Sequence, residues 1–157
     1  MALARYVSEP IAVPALEEGD FHRADLEFHG VDHSGSSFGA NVFLNTPEAN
    51  ETTPRDEQSG YAGSFYVFGH GGCFGDIGHC DVPRGPRGPF DLRLPHQLTP
   101  QKRTVTITEP LRRILSRRRE TGESGLTVTV VPIASDSPVA AGEDLFRFER
   151  LALVTYA

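Results

Sequence analysis

At 157 residues the chain can bury one sizeable core, so a single domain over 1–157 is the expectation, with 1–20 as an N-terminal arm. A net charge of −6 excludes a general phosphate-binding surface, which needs clustered Lys and Arg to release counterions, and nucleic acid is not an expected partner. No apolar run approaches the roughly 18 residues of a membrane span, and no basic segment leads into an apolar one near Met1, so a soluble, cytoplasmic protein is expected.

With 16 Gly, 12 Pro and no Trp, the composition favours strands and turns over a helical bundle. The segment from Arg23 to Val31 alternates Ala24, Leu26 and Phe28 against Arg23, Asp25, Glu27 and His29, the period-two pattern of a half-buried strand. Residues 39–45 read as its hairpin partner across a turn-rich 32–37. The polar stretch 46–60 has little to bury and reads as an exposed, mobile loop. A strand over 61–68 then runs into Gly69-His-Gly-Gly-Cys-Phe-Gly-Asp-Ile-Gly-His-Cys80, whose five glycines exclude a regular helix.

Prolines concentrated between 83 and 100 make 82–101 a second exposed connector rather than sheet interior. Residues 103–107 have the β-branched alternation of a strand. Thr108 reads as the N-cap of a short helix over about 109–119, with Leu111, Ile114 and Leu115 on its buried face. Gly122 and Gly125 close it. Residues 126–133 form a strand with Leu126, Val128 and Val130 in phase. A long final strand over 145–156 places Phe146, Phe148, Arg150, Ala152, Val154 and Tyr156 on one side, and Arg150 there implies a bulge or a paired guanidinium. The expected architecture is mainly β: an antiparallel β-sandwich of six or seven strands with one short α-helix.

His70, Cys73, His79 and Cys80 gather four potential soft-metal ligands within eleven residues. Imidazole with thiolate suits copper or zinc, and glycines let a short loop fold back on an ion, His70, Cys73 and Cys80 being the least strained set. The alternative is a Cys73–Cys80 disulfide, or thiols that only pack; no Asn, Asp or His at recognisable spacing supports a nucleophilic cysteine. Asp25, Glu27, His29, Asp32 and His33 form an acidic, imidazole-rich patch that could coordinate a divalent cation, but alternation puts Asp25, Glu27 and His29 outward anyway, so a solvated strand face is the simpler reading. Asp76 and Asp81 cap turns or meet a cation. Arg112, Arg113, Arg117, Arg118 and Arg119 form the basic cluster; the last three complement the helix C-terminus, and the set offers an electrostatic docking patch. Nucleotide-binding glycine motifs, a Walker-type lysine and a serine nucleophile elbow are absent, so no enzymatic activity of its own is expected.

Three pieces carry a family resemblance by their order. Asn41-Val-Phe-Leu-Asn45 followed by Tyr61-Ala-Gly-Ser-Phe65, then Thr104 to Leu115 with Thr-Glu-Pro-Leu-Arg-Arg-Ile-Leu, then Leu126 to Ile133 and Phe146 to Tyr156, together resemble the C-terminal domain of tyrosinases and plant-type polyphenol oxidases. The resemblance implies a β-sandwich that packs over a copper domain, shields its entrance and in some members holds the enzyme inactive. That copper domain carries six helical histidines; the six here, His22, His29, His33, His70, His79 and His96, fall outside any convincing helix. The chain is therefore expected to be an accessory or detached C-terminal domain partnering a tyrosinase-like copper oxidase, with Phe74 and Asp76 on the partner-facing loop. Two other readings stand beside it: a copper-handling protein using the His/Cys loop, and a sandwich that self-associates into a homo-oligomer.

Overall fold

The computed structural model describes residues 4–13, 17, 19–70, 86, 88–90, 98–122, 125–134 and 144–157. Its strands are β1 Tyr6–Val7, β2 Ile11–Ala12, β3 Arg23–Val31, β4 Phe38–Leu44, β5 Tyr61–Val67, β6 Gln101–Thr106, β7 Gly125–Leu126, β8 Val128–Ala134 and β9 Arg150–Tyr156, with helix α1 over Thr108–Thr121. All pairings are antiparallel, in sheets ordered β1-β8-β4-β5 and β6-β3-β9 with a short β2-β7 ribbon. The mainly β expectation holds. Among the described residues no helix is long and apolar enough to cross a membrane.

Alternation on β3 works as its pattern requires: Ala24, Leu26 and Phe28 are fully buried. They face Ala40, Val42 and Leu44 of β4, Phe65 and Val67 of β5, and Val128 and Val130 of β8 within one apolar core. The Phe28 ring lies 5.3 Å from Phe65, on a strand of the other sheet, so aromatic packing joins the two layers. Leu111 and Leu115 turn the buried face of α1 into the same core. The helix ends at Gly122, whose left-handed φ of 73° lets its N–H donate back to Arg118 O.

Four expectations need correction. First, β3 and β4 are not a hairpin, because β3 pairs with β6 and β9 while β4 pairs with β5 and β8. Each is a central strand, and periodicity specifies which face is buried but not which neighbour fills each edge; the 32–37 link therefore crosses between sheets. Second, Thr108 is not the N-cap. Ile107 holds that position without a side-chain cap, and the Thr108 hydroxyl instead accepts the Ala24 N–H at 3.0 Å, tying the helix start to β3.

Third, the final strand begins only at Arg150. Residues 144–148 have no regular structure, Arg150 is exposed, and Leu151 and Leu153 supply the core-packed positions of β9. The break shifts the inward phase from even to odd positions, so no buried guanidinium arises. Fourth, 126–133 divides at Thr127 into β7 and β8, which pair with β2 and with β1 plus β4. Leu126, Val128 and Val130 still share burial as expected.

Short pairings of β1 on β8 and β2 on β7 stitch part of the N-terminal arm to the body. The 46–60 segment is exposed as expected but internally tied, with Thr52 N–H donating to Asn50 Oδ1 and Ser59 N–H to Asp56 Oδ1. Its Ala49 is buried beside Phe43 and Val131. Most of 82–101 lies outside the described residues.

Candidate functional site

Where β3 ends, Asp32 organises the turn that leaves the sheet. Its N–H donates to Arg147 O, its Oδ1 accepts the Ser34 N–H at 2.8 Å, and its Oδ2 meets Arg147 Nη2 at 2.6 Å. Burial alone would raise its carboxyl pKa, but the Ser34 backbone and hydroxyl, then Arg147, outweigh that and hold it below the ordinary value. The next residue, His33, points inward and is only 2% exposed.

Across from it the chain leaves β5 through Gly69 and His70. A side chain at Gly69 would collide with the backbone of Gly35 and Ser36, so glycine is required where the two segments cross. Gly69 N–H donates to Ser37 Oγ and His70 N–H to His33 O, at 2.9 and 3.0 Å. These bonds bring His33 and His70 together with ring centroids 5.1 Å apart and planes at 69°. His33 Nε2 lies 2.9 Å from Thr99 O; a carbonyl only accepts, so that nitrogen carries a proton, and in the neutral ring Nδ1 is the acceptor. The Nδ1 atoms of both histidines are buried without a hydrogen-bond partner, an arrangement that costs about 1–3 kcal/mol per group unless something fills it.

His70 is thus the member of the expected ligand set that the structure places. Cys73, His79 and Cys80, with Phe74, Asp76 and Asp81, lie outside the described residues. Among the described residues no three His, Cys, Asp or Glu side chains gather around one point. Linear spacing offered no means of finding His33 as the neighbour of His70, since only the crossing of two strand ends joins them.

The acidic patch resolves into paired groups rather than a solvated face. Asp25 is 1% exposed, covered on the outer side of β3, and meets Arg23 Nη2 at 2.8 Å while that guanidinium also lies over the Tyr156 ring. Glu27 accepts from Lys102 Nζ and contacts His29 Nε2, each at 2.9 Å. The Lys102 bond is the main cause of a Glu27 pKa held below its ordinary value.

Much of the arginine cluster is tied to its own chain. Arg112 bridges Glu109 and Phe21 O, Arg113 meets Glu57 at 2.9 Å, and Arg118 reaches Val13 O. Arg113, Arg117 and Arg118 also line a cleft of about 270 Å³ between α1 and the 57–61 turn, opposite Tyr61. The Arg119 side chain lies outside the described residues.

A feature hidden in the linear pattern is the exposed aromatic rim of β5. Tyr66 is 72% and Phe68 80% exposed, and Tyr66 with Ile133 borders a shallow recess of about 450 Å³ under residues 51–55. Asn41 and Ser64 form its polar floor, with Ser64 Oγ donating to Asn41 Oδ1 at 2.8 Å. The irregularity at Gly63 obscured this face: Ala62 points inward, yet so do Phe65 and Val67, which sends Tyr66 and Phe68 outward.

No family model and no curated protein matches the sequence. The fold is similar to that of solved polyphenol oxidase chains. Against recombinantly expressed latent aurone synthase (polyphenol oxidase), 97% of this chain matches 24% of that chain with a TM-score of 0.54 and 18% identity. Against the latent aurone synthase from natural source the figures are 98% and 24%, with a TM-score of 0.51 and 19% identity. The chain spans about a quarter of the length of these solved chains, and identity this low shows a shared fold alone.

Proposed function

We propose that this chain is a non-catalytic accessory domain that packs on the copper domain of a tyrosinase-type oxidase and stabilises or regulates it. The observation that carries the reading is the lopsided coverage: nearly the whole chain corresponds in fold to about a quarter of a latent polyphenol oxidase chain. In that chain the matching fold is one part of a much larger oxidase, and packing against such a body is the role that fits. The β5 rim supports it chemically. Tyr66 and Phe68 expose large aromatic area beside Ile133, the residue types that anchor interfaces when they become buried.

The test is to mix the purified chain with the tyrosinase-type oxidase encoded nearest to it, and to read complex formation, copper content and diphenol oxidation. A complex with altered copper loading or turnover is expected. Tyr66→Ser with Phe68→Ser should weaken the complex about tenfold or more, because truncating interface anchors commonly costs over 1 kcal/mol. Absence of both a complex and any change in the oxidase would sink the proposal.

A further inference from the structure

We propose that His33 and His70 supply two ligands of a binding site for a borderline-soft divalent ion, with Zn²⁺ as its type. The inference concerns the isolated chain and does not depend on the oxidase partnership.

Three observations converge on it. The first is tautomer. Nε2–H of His33 donates to Thr99 O, which in the neutral ring leaves Nδ1 as the unprotonated nitrogen. Imidazoles that bind metal commonly give their other N–H to a backbone carbonyl, which fixes the ring and raises the basicity of the ligating nitrogen. His33 already has that outer bond.

The second is isolation from other partners. His33 is only 2% exposed, and both its Nδ1 and that of His70 lie at positions without solvent contact or a hydrogen-bond partner. A buried lone pair with nothing to accept is unusual in a folded chain and calls for an unseen ion or water. The Nδ1 atoms of two adjacent rings are both left without a partner, and one cation held by the pair would satisfy both.

The third is spacing. With metal–nitrogen bonds of about 2.0–2.1 Å and a ring radius of about 1.1 Å, two imidazoles on one tetrahedral ion have centroids about 5 Å apart. The observed separation is 5.1 Å. The pair is held at this distance by the His70 N–H to His33 O bond and by the close crossing at Gly69, rather than by the rings themselves.

The experiment titrates the full chain with Zn²⁺ alone by calorimetry. In parallel, long-range ¹⁵N–¹H spectra of the imidazoles report which ring nitrogen the ion takes. Saturable one-to-one uptake is expected, with ligation at His33 Nδ1, retention of its Nε2–H, and ligation of His70. Loss of either ligand should weaken binding about tenfold or more, the scale on which even outer-shell losses act. His70 is half-buried, so His70→Gln is expected to keep the fold even if His33→Gln does not; circular dichroism checks both. His22→Gln, at an exposed position, should bind like the parent chain. Absence of uptake by the parent chain, equal uptake by folded His70→Gln, or ligation confined to His22 or His29 would overturn the site, whatever the outcome with an oxidase.

Discussion

Gly63 shows how one residue sets the spacing of the two sheets. Its φ is 150°, a value L side chains rarely adopt, and a Cβ there would sit 2.7 Å from Val105 Cγ1 on β6. Gly63→Ala therefore combines backbone strain with overpacking and should destabilise by about 1–3 kcal/mol, read from the urea unfolding midpoint at unchanged slope. At Glu27 the relevant quantity is pH. Its folded pKa lies below the ordinary 4.5, chiefly because Lys102 donates to it, so its contribution is fully present above that value and fades as pH falls through the folded pKa. The stability advantage of the parent chain over Glu27→Gln should accordingly shrink as pH is lowered from 6 towards the acid range, about 3, in urea unfolding. An advantage that grows with acidity would contradict the assignment.

Among the elements, the segment preceding β9 does more for the core than its lack of regular structure suggests. Phe146 is 4% exposed, stacks on Phe148 at 4.7 Å and meets Phe28 and Phe65 edge-on or tilted, each at 5.5 Å. It plugs the end of the sandwich between strands of both sheets. Phe146→Ala should cost about 3–5 kcal/mol, the range for deleting a buried aromatic ring. On β5 the outward pair behaves oppositely: Tyr66→Ser with Phe68→Ser should leave the unfolding free energy within about 1 kcal/mol, since exposed positions contribute little to the core. A large loss there would mean that the rim belongs to the fold and not to a partner surface.

At the scale of the whole molecule, the architecture is two antiparallel sheets sharing one apolar core, with α1 packed beside β3. That arrangement matches about a quarter of the length of much larger oxidase chains, and the packing role proposed above rests on it. The sequence by itself determined β3 and the buried row along β7 and β8, because burial of one sheet face imposes a period of two that survives in Ala24, Leu26 and Phe28, and in Leu126, Val128 and Val130. It also marked the helix and its stop at Gly122, where a left-handed residue is needed. Edge neighbours were beyond it, since ladder hydrogen bonds use backbone groups common to every residue; hence β3 and β4 read as a hairpin although they lie in opposite sheets. The same limit governed the candidate site. His70 stood out in its glycine-rich surroundings, but His33 became its neighbour only when tertiary structure crossed the ends of β3 and β5, where the backbone bond between the two residues and the space left by Gly69 set their rings side by side.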